Sequence, residues 1–207
     1  MSRSLVRRSV ARRMLAAVAA SALLLSLAAC SVNDDLVADY RAGDNKGYIQ
    51  VNETIDLIPV AERGEPVVFA GETEHGDAVS SDDFAGDVLV VNFWYAACGP
   101  CIVEAPVLEE VWQKWESDDV EFLGVNIYDQ APTAISFAKD NGVSYPSVID
   151  IVDKQVSLAF AAAAPLKAPP VTLVIDREGR VAARLIGQIK SASILSSIVT
   201  DTLAETS

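Results

Sequence analysis

The chain has 207 residues, with 16 Lys and Arg against 29 Asp and Glu and a net charge of −13. That acidic balance argues against a nucleic-acid surface, whose phosphate contacts need Lys and Arg, and equally against docking on anionic lipid by charge. It fits a domain kept soluble by its own charge, and the length beyond the first 29 residues suits one domain with a sizeable core.

Residues 1–29 differ from the rest. They hold Arg3, Arg7, Arg8, Arg12 and Arg13 and no acidic residue, an asymmetry that marks a targeting segment. The apolar run from Met14 to Ala29 is shorter than the roughly 20 residues of a membrane-spanning helix, as in the core of a signal peptide. It ends in Leu27-Ala28-Ala29-Cys30, which resembles the bacterial lipobox. The resemblance implies cleavage before Cys30, acylation of its thiol and two or three acyl chains, enough for stable anchoring. An ordinary cleaved signal with an incidental cysteine is the alternative. The paired arginines leave both the general and the twin-arginine export routes open. Residues 30–47 are polar and rich in Asp, Asn and Gly, and read as a flexible tether. The folded domain is expected over 48–207, and no later stretch is apolar and long enough to span a bilayer.

Along the domain, Pro66 to Ala70 is expected as a strand and Ser80 to Phe84 as a short helix. Val88-Leu89-Val90-Val91-Asn92-Phe93-Trp94 is a nearly continuous apolar run, the pattern of a buried central strand. Cys98-Gly99-Pro100-Cys101 follows. Ile102, Ala105, Leu108, Val111, Trp112 and Trp115 then recur with helical period, and Pro106 should bend that helix. Further on the pattern predicts a strand over Val120 to Tyr128, a helix over Pro132 to Asp140 and a strand over Tyr145 to Ile151. A helix over Asp153 to Ala162 comes next. Strands Val171 to Asp176 and Val181 to Ile186 are joined by the turn Arg177-Glu178-Gly179-Arg180, and Ser191 to Ala204 is a closing helix. This alternation predicts a single α/β domain.

With Cys30 assigned to the lipid, Cys98 and Cys101 remain. A bridge between them closes too small a loop to restrain the unfolded chain much, so its value lies in reactivity. A zinc site competes for the same spacing, but zinc takes four ligands. The chain has no second cysteine pair and one histidine, His75, in a turn-like stretch where it reads as a solvated loop residue. Cys98 falls at a helix start, where free N–H groups lower a thiol's pKa. It is therefore expected to be the attacking sulfur. Cys101, one turn inside and more shielded, would resolve the mixed disulfide. Pro100 suits an early helical position where no N–H is needed.

Together, Asn92-Phe93-Trp94, the Cys98–Cys101 motif, Glu104, Pro106 and Pro170-Val171-Thr172-Leu173-Val174-Ile175-Asp176 resemble the membrane-anchored thioredoxin-like proteins of the TlpA, ResA and CcmG type. The resemblance runs from about Tyr48 to the C-terminus. It implies an α/β thioredoxin-like fold: a central mixed sheet flanked by helices, an N-terminal β extension, and an inserted strand–helix unit supplied by residues 128–151. It implies a cis Pro170 facing the disulfide, and a substrate groove made by Gly99, Pro100, Trp94, Pro169 and Pro170. It also implies that Glu104 tunes the thiols, one helical turn from Cys101. Glu104 as a plain surface residue is the alternative.

Two positions depart from the family. Ala97 stands where a tryptophan is common, and Pro169 has no N–H to offer a substrate strand. The resemblance implies a thiol–disulfide oxidoreductase that needs no metal or organic cofactor. Its substrates would be exported thiol or disulfide proteins, with apocytochrome c favoured, and its electrons would come from a membrane donor of the DsbD or CcdA kind. Four rivals are open: an exported oxidant, a thiol peroxidase, a metal-handling protein, and a non-catalytic lipoprotein with an inert bridge. A peroxidase would carry Thr where Tyr95 stands, and a copper chaperone of the Sco type would use Cys-x-x-x-Cys and a downstream histidine.

Overall fold

A computed structural model describes residues 54–115, 119–164, 166 and 168–205. The expected signal peptide, the acylated Cys30 and the tether lie outside the described residues. No helix among the described residues is long and apolar enough to cross a membrane.

Within the described residues one sheet runs in the order β1 (Thr54–Leu57), β8 (Val181–Ile186), β7 (Val171–Ile175), β4 (Val88–Trp94), β5 (Val120–Asn126) and β6 (Ser147–Ile149). β4 pairs parallel with β5 and antiparallel with β7, and β6 extends the sheet parallel to β5. A separate hairpin joins β2 (Ala70–Glu72) to β3 (Ala78–Ser80). The helices are α1 (Gly99–Trp115), α2 (Ala131–Asn141), α3 (Gln155–Ala159) and α4 (Ala192–Leu203). The sheet is mixed and carries helices on its faces, as the resemblance implies.

The central strand explains the layering. All seven residues of β4 are buried, because alternate side chains feed two cores. Leu89, Val91 and Phe93 join Leu123, Leu173, Val156 and Phe160 on one face. Val88 and Val90 join Leu108, Val111, Phe122, Leu195 and Val199 on the other, under α1 and α4. Each such side chain contributes about 1.5–3 kcal/mol when fully buried, so β4 is fixed from both sides. A third, smaller cluster holds Trp94, both cysteines, Ala105, Ala134 and Phe137.

Several boundaries differ from the sequence reading. Residues 66–69 are not a strand; only Ala70 of the expected segment enters β2. Val68 there is 78% exposed while Phe69 is buried, so the segment follows the core as extended coil, tied by the Val67 N–H to the Gly179 carbonyl at 2.9 Å. β6 is shorter than expected, beginning after Pro146, which has no N–H to give a ladder. α3 keeps five residues of the expected ten and gives way to turns in the alanine run. β1, at the sheet edge, was not anticipated as a particular segment; with the β2–β3 hairpin it forms the N-terminal β extension. The insert appears as α2 followed by β6, the strand at one edge of the sheet.

Candidate active site

Three strand ends meet at one edge of the sheet. β4 and β5 run parallel, so their C-terminal ends lie side by side, with Trp94 opposite Asn126. β7 runs the other way, so its N-terminal end lies there too, with Val171 opposite Phe93. Cys98 follows β4 after three residues. Its N–H donates to the Tyr95 carbonyl at 3.1 Å, and its own carbonyl accepts the N–H of Ile102 at 3.1 Å. Cys98 thus occupies the cap position of α1. Gly99 and Pro100 in the first turn are exposed, where the missing proline N–H costs nothing.

Cys98 and Cys101 form a disulfide with Cα atoms 5.2 Å apart. The Cys101 N–H points at Cys98 Sγ at 3.2 Å. That donor would hold negative charge on Cys98 after reduction, as helix N-termini do for thiolates. The Pro169–Pro170 bond is cis, as expected. The Pro169 carbonyl lies 3.8 Å from Cys98 Sγ on the β7 side. Pro169 is half-buried and Pro170 buried.

The expected difference in exposure between the two cysteines is absent in this oxidised state. Cys98 is 2% exposed and Cys101 3%. The carbonyl of Pro169 covers one sulfur, and both sit in the pocket of Trp94, Ala105, Ala134 and Phe137. What distinguishes the sulfurs is hydrogen bonding and position on the helix, not solvent.

Glu104 is buried at 1% exposure, which removes the surface-residue alternative. Asn92 Nδ2 donates to Glu104 Oε1 at 2.9 Å and also to Thr172 Oγ1 at 3.0 Å. The Ile189 N–H donates to Glu104 Oε2 at 2.9 Å. A buried carboxylate needs such donors, and they tie α1 to β4, β7 and the segment before α4. Nearby, burial, then the charges of Glu104 and Glu109, push the Tyr145 phenol far above its usual range. A cavity of about 10 Å³, the size of one water, lies among Asn92, Trp94, Cys101, Phe137 and Tyr145.

Trp94 does not face the groove. It is 5% exposed, its indole N–H donates to Ser147 Oγ at 3.3 Å, and its ring packs on Phe137 at 4.3 Å between centroids. Gly124 leaves room for this pair: a Cβ there would meet Ser147 Oγ at 2.1 Å and Trp94 Nε1 at 2.9 Å. Trp94 is the floor behind the disulfide rather than a wall beside it, because as the last residue of β4 it turns toward the β5–β6 side and is held there.

Sequence reasoning missed the β5 side. Asp129 accepts the Ala96 N–H at 2.6 Å and the Asn126 side-chain amide at 3.0 Å. Asn126 Oδ1 in turn accepts the N–H groups of Tyr128 and Asp129. An Asn-x-x-Asp sequence at the end of a buried strand is the signal that was available, since these side chains favour such local turns. His75 is an exposed loop residue, as expected, with its side chain 63% exposed.

Comparisons with known proteins agree with this arrangement. A Redoxin family model matches residues 58–199. The chain is 30% identical over 135 residues to the thiol–disulfide oxidoreductase ResA of Bacillus subtilis, covering 65% of this chain and 73% of that one. It is 27% identical over 146 residues to a DsbE homologue, a thiol:disulfide interchange protein of Paracoccus denitrificans, covering 69% and 76%. Among solved structures, a DsbF homologue of Corynebacterium diphtheriae superposes with a TM-score of 0.63 at 29% identity, over 71% of this chain and 92% of that one. A dithiol motif at a helix head, a facing cis proline and this kinship lead to one assignment: the chain belongs to the Redoxin family, as a thiol–disulfide oxidoreductase of the TlpA, ResA and CcmG type.

Proposed function

We propose that the protein works outside the cytoplasm, tethered by an acylated Cys30, and reduces disulfides of exported proteins, with apocytochrome c the favoured substrate. The observation that carries the redox part is the Cys101 N–H aimed at Cys98 Sγ beside the Pro169 carbonyl. The leader sequence and the ResA and DsbE relatives support the location.

The reaction runs from the reduced dithiol. The Cys98 thiolate attacks one sulfur of the substrate disulfide; that bond breaks, and the leaving thiolate takes a proton from solvent. Cys101 then loses its proton and attacks Cys98 Sγ in the mixed disulfide, and the second substrate thiol is released. Two electrons pass to the substrate and the Cys98–Cys101 bridge remains. Glu104, one turn from Cys101 on α1 and hydrogen-bonded to Asn92, which lines the same cavity as Cys101, accepts or returns the proton of the resolving thiol. Gly99, Pro100, Pro169 and Pro170 border the path of the substrate. A membrane thiol donor of the DsbD or CcdA kind restores the dithiol.

Cys101→Ser tests this reading, because it stops the reaction at the mixed disulfide. In cells it should trap exported proteins with cysteine pairs through Cys98, apocytochrome c among them. No trapped partner, with wild-type protein accumulating normally, would overturn the proposal. A reduction potential in the range of strong oxidants would instead assign the protein to disulfide formation.

A further inference from the structure

The disulfide has two flanks, set by the sheet order β7-β4-β5. The β7 flank carries Pro169 and Pro170. The β5 flank carries residues 126–129, and Lys154 comes in from beyond the end of β6. Tyr128 is 51% exposed although it is a large aromatic. Tyr95, whose carbonyl holds the Cys98 N–H, meets the Tyr128 ring edge to face at 5.1 Å. Lys154 Nζ lies 5.5 Å from the centre of the same ring and donates to the Ile127 carbonyl at 3.2 Å.

Two features show that this flank is built rather than incidental. First, the turn is fixed from below. Asn126 and Asp129 hold it to the Ala96 N–H, two residues before Cys98. Second, Lys154 has φ of 56°, the left-handed region, and is the only non-glycine described residue with positive φ. Such backbone favours Gly or Asn, and lysine there costs on the order of 1 kcal/mol. A lysine on backbone suited to glycine points to a role for its ammonium.

We infer that Tyr128, with Lys154 over its ring, is the specificity-determining wall of the groove on the β5 side, contacting polypeptide that flanks the target cysteine. Ala97 leaves the nearer flank without an aromatic, and Tyr128 supplies one from the neighbouring strand. Its half-exposed ring offers a packing surface for an extended chain. Lys154 adds a donor for a backbone carbonyl where Pro169, on the other flank, has no N–H to give. A small disulfide that reaches the sulfurs without lying across the flank gains nothing from either residue. The inference rests on the disulfide exchange proposed above.

The test compares kcat/KM for insulin with that for 2-hydroxyethyl disulfide, with dithiothreitol restoring the dithiol each turnover and its uncatalysed reaction subtracted. Tyr128→Ala should lower the insulin-to-small-disulfide ratio about five- to tenfold, chiefly through KM for insulin, the loss matching one aromatic contact. Tyr128→Phe should restore most of it. Lys154→Gly should lower the ratio about threefold or more while melting no lower than wild type, since glycine suits that backbone. An unchanged ratio in Tyr128→Ala and Lys154→Gly would overturn the inference and leave the oxidoreductase reading standing. Equal losses on both substrates would also overturn it, showing that the turn only positions Cys98. Failure of the wild type on both substrates would remove the exchange reading, and this inference with it.

Discussion

Asn92 and Glu104 meet at 2.9 Å in the protein interior, the amide of a central-strand residue donating to a carboxylate one helical turn beyond Cys101. The contact fixes a buried carboxylate one helical turn from the resolving cysteine, and it is anchored on the opposite side by the Ile189 N–H.

Glu104→Gln tests that role. The amide keeps the shape but turns one accepting oxygen into a donor facing either Asn92 Nδ2 or the Ile189 N–H. A mismatch of this kind in a buried site costs about 1–3 kcal/mol. If Glu104 takes the Cys101 proton, release of the mixed disulfide should slow by at least about 100-fold, the low end for a positioned base. Mass spectrometry of quenched reactions should then show the Cys98 adduct accumulating. Normal release with only a lowered melting temperature would make Glu104 a structural residue.

Gly124→Ala addresses the floor of the site. The added Cβ cannot fit while Ser147 Oγ and the Trp94 indole keep their places. Overpacking of this sort costs about 1–3 kcal/mol. Denaturant unfolding should show that loss, and the fluorescence of Trp94 should change as its bond to Ser147 breaks.

The Arg63 clasp sets an acid limit to stability. Arg63 donates to Asp176 at 2.9 Å and to Glu205 at 2.5 and 2.7 Å, linking the segment after β1 to the β7–β8 turn and the end of α4. Burial raises the Asp176 carboxyl, but the Arg180 N–H and the Arg63 and Arg180 guanidinium groups outweigh it and hold it below its usual value. A carboxyl depressed in the folded state adds stability above its unfolded pKa and loses it as pH falls through the folded one. Stability should therefore be full at neutral pH and decline in acid, starting near the ordinary carboxylate range. Arg63→Met leaves Asp176 its Arg180 partner and Glu205 partly exposed, so it should cost about 1–3 kcal/mol at pH 7, and should lessen the acid decline in urea titrations.

The β4–α1 unit was legible because its signals are local. A continuous apolar run means a two-sided strand, a 3.6-residue period means a helix, and two cysteines at their junction mean thiol chemistry. Pro170 and Glu104 were legible through resemblance, but the burial of Glu104 depends on Asn92 and Ile189, 12 residues before it and 85 beyond it. Which aromatic at the end of β4 turns inward was not legible. Trp94 and Tyr95 are adjacent, and which one turns inward depends on Gly124 and Ser147, brought near only by strand register. β1 escaped notice because an edge strand with mostly exposed side chains carries little apolar pattern. The Tyr128–Lys154 pair depends on β5 and β6 ending at the same edge.

Disulfide exchange requires Cys98 to become an acidic, reachable thiol once the bridge is reduced. The pH dependence of its alkylation by iodoacetamide in Cys101→Ser measures this directly. A single titration at least about one unit below the 8.5 of a free cysteine is expected, with reaction complete in the folded protein. A midpoint at or above that value, or alkylation only after denaturation, would contradict it.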